Sequence, residues 1–123
     1  MSKHKKVFFA TLLVCSLEAD DTGSLLFNGN CITCHKETQT ISAPSVVKFK
    51  EVYKNAFPEK EEFINYMSTW VFNPKAESSL MQDSIQKHGL MPHLSYDIDT
   101  LKEISAYIYE TDFTTRGGKY WSK

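Results

Sequence analysis

Apolar residues recur along this chain at steps of three and four, and no stretch alternates at a step of two, so the pattern predicts helices throughout and no strand. A first helix is expected over 20–30, with Asp20, Asp21 and Thr22 at its start and Gly23, Phe27 and Cys31 in line on one face. Val46, Val47, Phe49, Val52 and Tyr53 are spaced more like a helix than a strand despite their β-branched content, and Phe57-Pro58 ends that segment. Pro58 then suits the first position of a third helix, with Glu59, Glu61 and Glu62 at its positive end. Phe63, Met67, Trp70 and Val71 form the stripe of this helix, and Asn73-Pro74 stops it. Between Lys75 and Lys87 the stripe thins to Leu80, Met81 and Ile85, predicting a short, largely exposed helix ending at His88-Gly89. Ser95, with Asp97 and Asp99 behind it, opens a last helix carrying Ile98, Leu101, Ile104 and Ile108 on one face and Tyr107 at its edge; Thr100 to Glu103 is a competing capping box.

The ends differ from the middle. Lys3, Lys5 and Lys6 precede a mostly apolar run from Val7 to Leu17, and Ala19 is a small residue before Asp20-Asp21, so residues 1–19 are expected to be a secretory signal peptide. The apolar run is short against the roughly 20 residues of a spanning helix. Leu12-Leu13-Val14-Cys15 also resembles a lipoprotein box, with Val14 where a smaller residue is usual; lipidation of Cys15 is the alternative, and would anchor the protein to the membrane on its periplasmic side. Residues 20–113 would form one domain, and 114–123, with Gly117-Gly118, a loose tail whose Tyr120 and Trp121 could serve as a contact.

Charge and cysteine count narrow the chemistry. The chain has 14 basic and 15 acidic side chains; without residues 1–19, which hold Lys3, Lys5, Lys6 and Glu18, 11 face 14 and the formal charge is −3. That balance excludes a nucleic-acid binder. Cys15, Cys31 and Cys34 are the only cysteines, so an exported domain keeps a single pair and no disulfide framework exists.

That pair lies in Cys31-Ile32-Thr33-Cys34-His35. A CxxC attaches haem, supplies half of a zinc site, or cycles as a thiol redox pair. His88 and His93 could complete a zinc site, but His35 would then have no role. A thioredoxin-like pair belongs after a strand, and none is predicted. With an apparent export signal in front and a histidine directly behind, the motif favours one covalent haem c, its vinyl groups joined to Cys31 and Cys34 and its iron ligated by His35.

With those residues in place the chain resembles the class I monohaem cytochromes c over Asp20 to about Asp112. In that family a glycine and an aromatic stand at four-residue steps before the first haem cysteine, as Gly23, Phe27 and Cys31 do, and the glycine lets the first and last helices cross closely. Ile104 to Tyr107 is similar to the apolar-x-x-Tyr segment of the family's last helix, and Pro44, nine residues past His35, stands near where a proline carbonyl usually meets the proximal imidazole. Ala43 departs from the glycine common before that proline. The resemblance implies an all-α, cytochrome c-like fold of 4–5 helices wrapped around one covalent haem c. It also implies Met91, in Gly89-Leu90-Met91-Pro92, as the distal iron ligand, in preference to Met67, Met81, His88 and His93. Trp70 is the best placed of Trp70, Tyr53, Tyr66 and Tyr96 to donate to a haem propionate.

The expected function is that of a periplasmic electron carrier, not an enzyme, meeting redox protein donors and acceptors transiently and binding no nucleic acid. Lys48, Lys50, Lys54 and Lys60 are a candidate basic docking rim, with a merely solvated face as the alternative. Other readings are a haem subunit of a larger redox complex, and a haem sensor or peroxidase-like protein with an open sixth position.

Overall fold

The computed structural model describes residues 22–115. The expected signal peptide, the Cys15 box and the residues of the tail from 116 onward lie outside them. The chain forms α1 (Thr22–Asn30), α2 (Val46–Ala56), α3 (Lys60–Phe72), a 3₁₀ turn (Ala76–Ser78), α4 (Gln82–His88) and α5 (Ile98–Glu110), with no strand among the described residues. None of these helices is long and apolar enough to cross a membrane.

Local chemistry accounts for the boundaries, and three differ from the sequence expectation. Ser45 caps α2 by accepting from the Lys48 N–H at 3.3 Å, which settles the β-branched segment as helix. α3 begins at Lys60 with Glu59 as its N-cap, so Pro58 stands before the helix and not at its first turn; its carbonyl accepts from the Tyr109 hydroxyl at 2.7 Å, tying the α2–α3 loop to α5. The 75–87 segment divides into the 3₁₀ turn and α4, because the Ser79 hydroxyl accepts from the Met81 N–H and holds the chain extended between them. α4 ends, as the sequence predicts, at Gly89, whose φ of +84° a side chain would resist. Asp97, and neither Ser95 nor Thr100, caps α5, accepting from both the N–H and the hydroxyl of Thr100.

α5 is the centre of the packing, with α1, α2 and α3 laid against it, while α4 packs only weakly on the others. The core gathers Phe27, Val46, Tyr53, Phe63, Met67, Ile104, Ile108 and Phe113. Phe113 lies beyond the last helix, and the periodic pattern does not mark it, yet it is 2% exposed and packs with Phe27 and Tyr107 in a triangle of rings 5.5–5.8 Å apart.

Three of the four lysines of the candidate docking rim are tied to this end of the molecule. Lys50 donates to the Thr111 carbonyl and lies near the Phe113 ring, Lys54 stands 4.6 Å over Tyr109, and Lys60 pairs with Glu110. Their charges lie at the C-terminal, negative end of the α5 dipole, where a cation is favoured. Only Lys48 of the four has no such tie.

The crossing of α1 over α5 is close because Gly23 has no side chain. A Cβ there would stand 2.7 Å from the Glu103 carbonyl oxygen and 2.8 Å from the Tyr107 Cβ, inside van der Waals contact with atoms that cannot swing away. Gly29, one and a half turns later on α1, meets nothing within 4 Å. The two glycine-to-alanine variants should therefore shift stability in opposite directions. Gly23→Ala is expected to lose about 1–3 kcal/mol by overpacking, and Gly29→Ala to gain up to about 1 kcal/mol from helix propensity; thermal unfolding of the two variants beside the parent checks both signs.

Candidate functional site

α1 does not stop at Asn30 so much as tighten. The Cys31 N–H still bonds to the Phe27 carbonyl at 2.9 Å, and the next turn closes with Cys34 N–H and His35 N–H both on the Cys31 carbonyl, at 3.3 and 2.9 Å. This turn keeps Cys31 and Cys34 one turn apart on the same side. After it the 36–45 loop folds back, its ends joined by Val46 N–H to Lys36 and Val47 N–H to Glu37. The closure brings Pro44 to His35.

The Pro44 carbonyl lies 2.8 Å from His35 Nδ1. A carbonyl only accepts, so Nδ1 carries the proton and the neutral ring keeps its lone pair on Nε2. Burial lowers the His35 pKa below the usual imidazole value, with the Pro44 bond acting against it, and the neutral form is the one a metal takes. The edge of Phe49 packs on the ring at 5.1 Å and leaves it little freedom to turn.

Beside this turn lies a cleft of about 250 Å³ that opens to solvent. Phe27, Cys31, Cys34, His35 and Pro44 line one side; Tyr53, Met67, Trp70 and Val71 come from α2 and α3, and Leu101, Ile104 and Ile108 from α5. α4 and the strap that follows it, residues 89–97, contribute Met81, Ile85, His88, Leu90, Met91 and Leu94. Among the described residues no Asp, Glu, Lys or Arg lines the cleft. Carboxylate acid–base chemistry and phosphate binding by charged side chains therefore have no groups to work with there, and the surroundings suit a large, mainly apolar occupant.

Most of the residues singled out in the sequence meet in this cleft. Cys31, Cys34, His35, Pro44, Trp70 and Met91 all line it, as do Met67, Met81 and His88. His93 does not; it is exposed, with its ring against Phe72 and its Nδ1 3.4 Å from the Ser95 hydroxyl. Among the described residues no three His, Cys, Asp or Glu side chains are grouped so as to hold a metal ion, so the zinc site that His88 and His93 were to complete is not assembled.

The hydrogen-bond donors sort differently from the sequence expectation. Trp70 Nε1 donates to the Lys75 carbonyl at 3.1 Å, Tyr66 to the Ser78 carbonyl at 2.7 Å and Tyr96 to Asn30 Oδ1 at 2.6 Å. The indole N–H of Trp70, placed first by sequence as a propionate donor, is thus engaged with the backbone, because the Asn73-Pro74 turn brings Lys75 under it. Tyr53 is the fourth. It is 6% exposed, lines the cleft, and finds no acceptor for its hydroxyl among the described residues; burial, and secondarily Tyr66, raises its pKa well above the usual phenol range. Phe49 and Asn30 are site residues that helical periodicity does not single out, since their roles depend on the loop closures that bring partners to them, whereas Tyr53 is among the expected donors.

The two thiols are unequal. Cys31 is half-buried and its pKa is pushed up to about 11 by burial and then by Cys34, whereas Cys34 is exposed. At pH 8 only about one Cys31 in a thousand is thiolate. Iodoacetamide should therefore alkylate Cys34 well before Cys31 in the haem-free protein, and peptide mass spectrometry of a timed series reads the order; equal labelling would contradict the difference in burial.

In comparisons with known proteins, no family model matches the chain, and no curated protein and no solved structure matches it at a significant level.

Proposed function

We propose that this chain is an exported electron carrier with a cytochrome c-like fold, holding one haem c through Cys31 and Cys34, with His35 as the proximal and Met91 as the distal iron ligand. The observation that carries the proposal is the coupling of the CxxCH turn to the cleft: two thiols and a neutral imidazole, its Nδ1 bonded to the Pro44 carbonyl, line one largely apolar cleft together with Met67, Met81 and Met91. The residues fit such a group in three respects. The cleft has no Asp, Glu, Lys or Arg among its described lining residues, sulfur and nitrogen donors line it together, and the Tyr53 hydroxyl is left for a carboxylate to accept from.

Bound there, the haem would supply a one-electron iron couple. The chain's own residues set its conditions. Nδ1–H to the Pro44 carbonyl orients the imidazole and makes Nε2 a better donor. The Met91 thioether, neutral and soft, would favour the reduced metal. Phe27, Ile104 and Ile108, all at most 4% exposed, keep water from the inner end of the cleft. Held by both His35 and Met91, the group would leave no place for a substrate, and transfer of an electron to a docked protein would be its activity.

Met91 is preferred to the other donors on the same cleft for a reason of place. Met67 is 5% exposed within the α3 core stripe, and Met81 is the N-cap of α4, each held by its helix, while Met91 is on the strap and free of helical constraint. His88 closes α4 on the same wall and is the competitor.

Production with a haem-attachment system should yield a red protein whose haem stays bound through denaturation. The oxidised form is expected to show the weak long-wavelength absorption of a sulfur–iron bond, abolished in Met91→Ala and retained in Met81→Ala. A band that survives Met91→Ala would reject Met91, and a colourless product with free Cys31 and Cys34 would reject the haem assignment as a whole.

A further inference from the structure

The strap that carries Met91 has little to hold it. Between Gly89, which closes α4, and Asp97, which caps α5, residues 90–96 make no backbone–backbone hydrogen bond among the described residues. His93 packs its ring on Phe72, and its bond to Ser95 stays within the strap. Among the described residues a single hydrogen bond leaves the strap for another element: the Tyr96 hydroxyl donates to Asn30 Oδ1 at 2.6 Å, across 66 residues of sequence.

Its acceptor is itself fixed. Asn30 is the last residue of α1, its Nδ2 donates to the Leu26 carbonyl at 2.7 Å, and it directly precedes Cys31. On the donor side, Ser95 has a φ of +59°, a left-handed conformation that a residue with a side chain adopts when its surroundings hold it there. The strap is thus bent one residue before Tyr96. Tyr96 and Asn30 both line the cleft, so the bond joins the Met91 wall to the wall of the two cysteines.

We propose that Tyr96 is a positioning residue, whose hydroxyl clips the 89–97 strap to the end of α1 and so holds Met91 at the cleft. The proposal rests on the haem assignment made above. Its physical content is that a neutral, partly buried hydrogen bond resists swinging the strap outward, and an incoming ligand that displaces Met91 must overcome that resistance.

Imidazole titrated into the oxidised holoprotein, followed by loss of the long-wavelength band, measures this directly. Tyr96→Phe is expected to bind imidazole roughly two- to tenfold more tightly than the parent, the range for loss of one such bond. Tyr109→Phe, which removes a hydroxyl bonded to Pro58 and does not line the cleft, should leave the affinity unchanged. Asn30→Ala removes the same bond from the other side, and the double variant should bind no more tightly than the tighter of the singles. Equal affinity in Tyr96→Phe and the parent, or additive effects in the double variant, would overturn the clip while leaving the haem assignment in place. A parent without the long-wavelength band would instead overturn Met91 ligation, and the role of Tyr96 with it.

Discussion

At Gly23 the backbones of α1 and α5 approach until a methyl group would not fit between them. The direction in which α1 leaves that crossing places Cys31 and Cys34, because the turn bearing them is a tightened continuation of the helix. Phe27, one turn past the glycine, is fully buried and packs on Tyr107 and Phe113, so the crossing is held by rings as well as by close backbone contact. An aromatic cluster of this kind adds to ordinary burial through favourable edge-to-face and tilted contacts. The helix that presents the chemistry is thereby fixed to the helix on which α2 and α3 also pack.

The opposite side of the molecule is built otherwise. α4 is short, packs weakly, and is followed by a strap whose polar tie to another element is one hydrogen bond. Between this loose wall and the firm one lies an uncharged cleft that the chain does not close with its own side chains. Its lining is mainly apolar, a surface that a bound apolar group would remove from water. Under the proposed assignment the haem supplies the missing centre of the core, the firm wall holds its covalent and proximal bonds, and the loose wall its distal one. The asymmetry suits the chemistry, since thioether links persist and a methionine–iron bond is the one that exchanges.

Much of the architecture was legible because helical periodicity and end signals are local. The stripe of α3, the Gly89 stop of α4 and the buried face of α5 all follow from residues three or four apart. The errors fall at boundaries where two local signals compete, as with Ser95, Asp97 and Thr100 before α5, or Pro58 and Glu59 before α3; the packing of the whole helix chooses between caps of similar strength. Lys50, Lys54 and Lys60 show the other kind of miss. A lysine in sequence is a solvated charge by default, and only the placement of the α5 terminus beside α2 and α3 turns these toward carbonyls, rings and Glu110.

The sequence by itself determined the all-α class, the helix order and the grouping of two thiols with His35, because each is a matter of residue type and short spacing, while the demand for a small residue at Gly23 was implied by the resemblance and depends on Glu103 and Tyr107 across the fold. The resemblance implied that Pro44 meets His35, and tertiary structure alone decided that Met67, Met81, His88 and Met91 line a cleft that His93 does not, and that the Trp70, Tyr66 and Tyr96 donors are engaged while Tyr53 finds no acceptor among the described residues. Those are meetings between residues far apart along the chain. Their outcome depends on where loops close and which hydrogen bonds are already made, and no spacing rule carries that information.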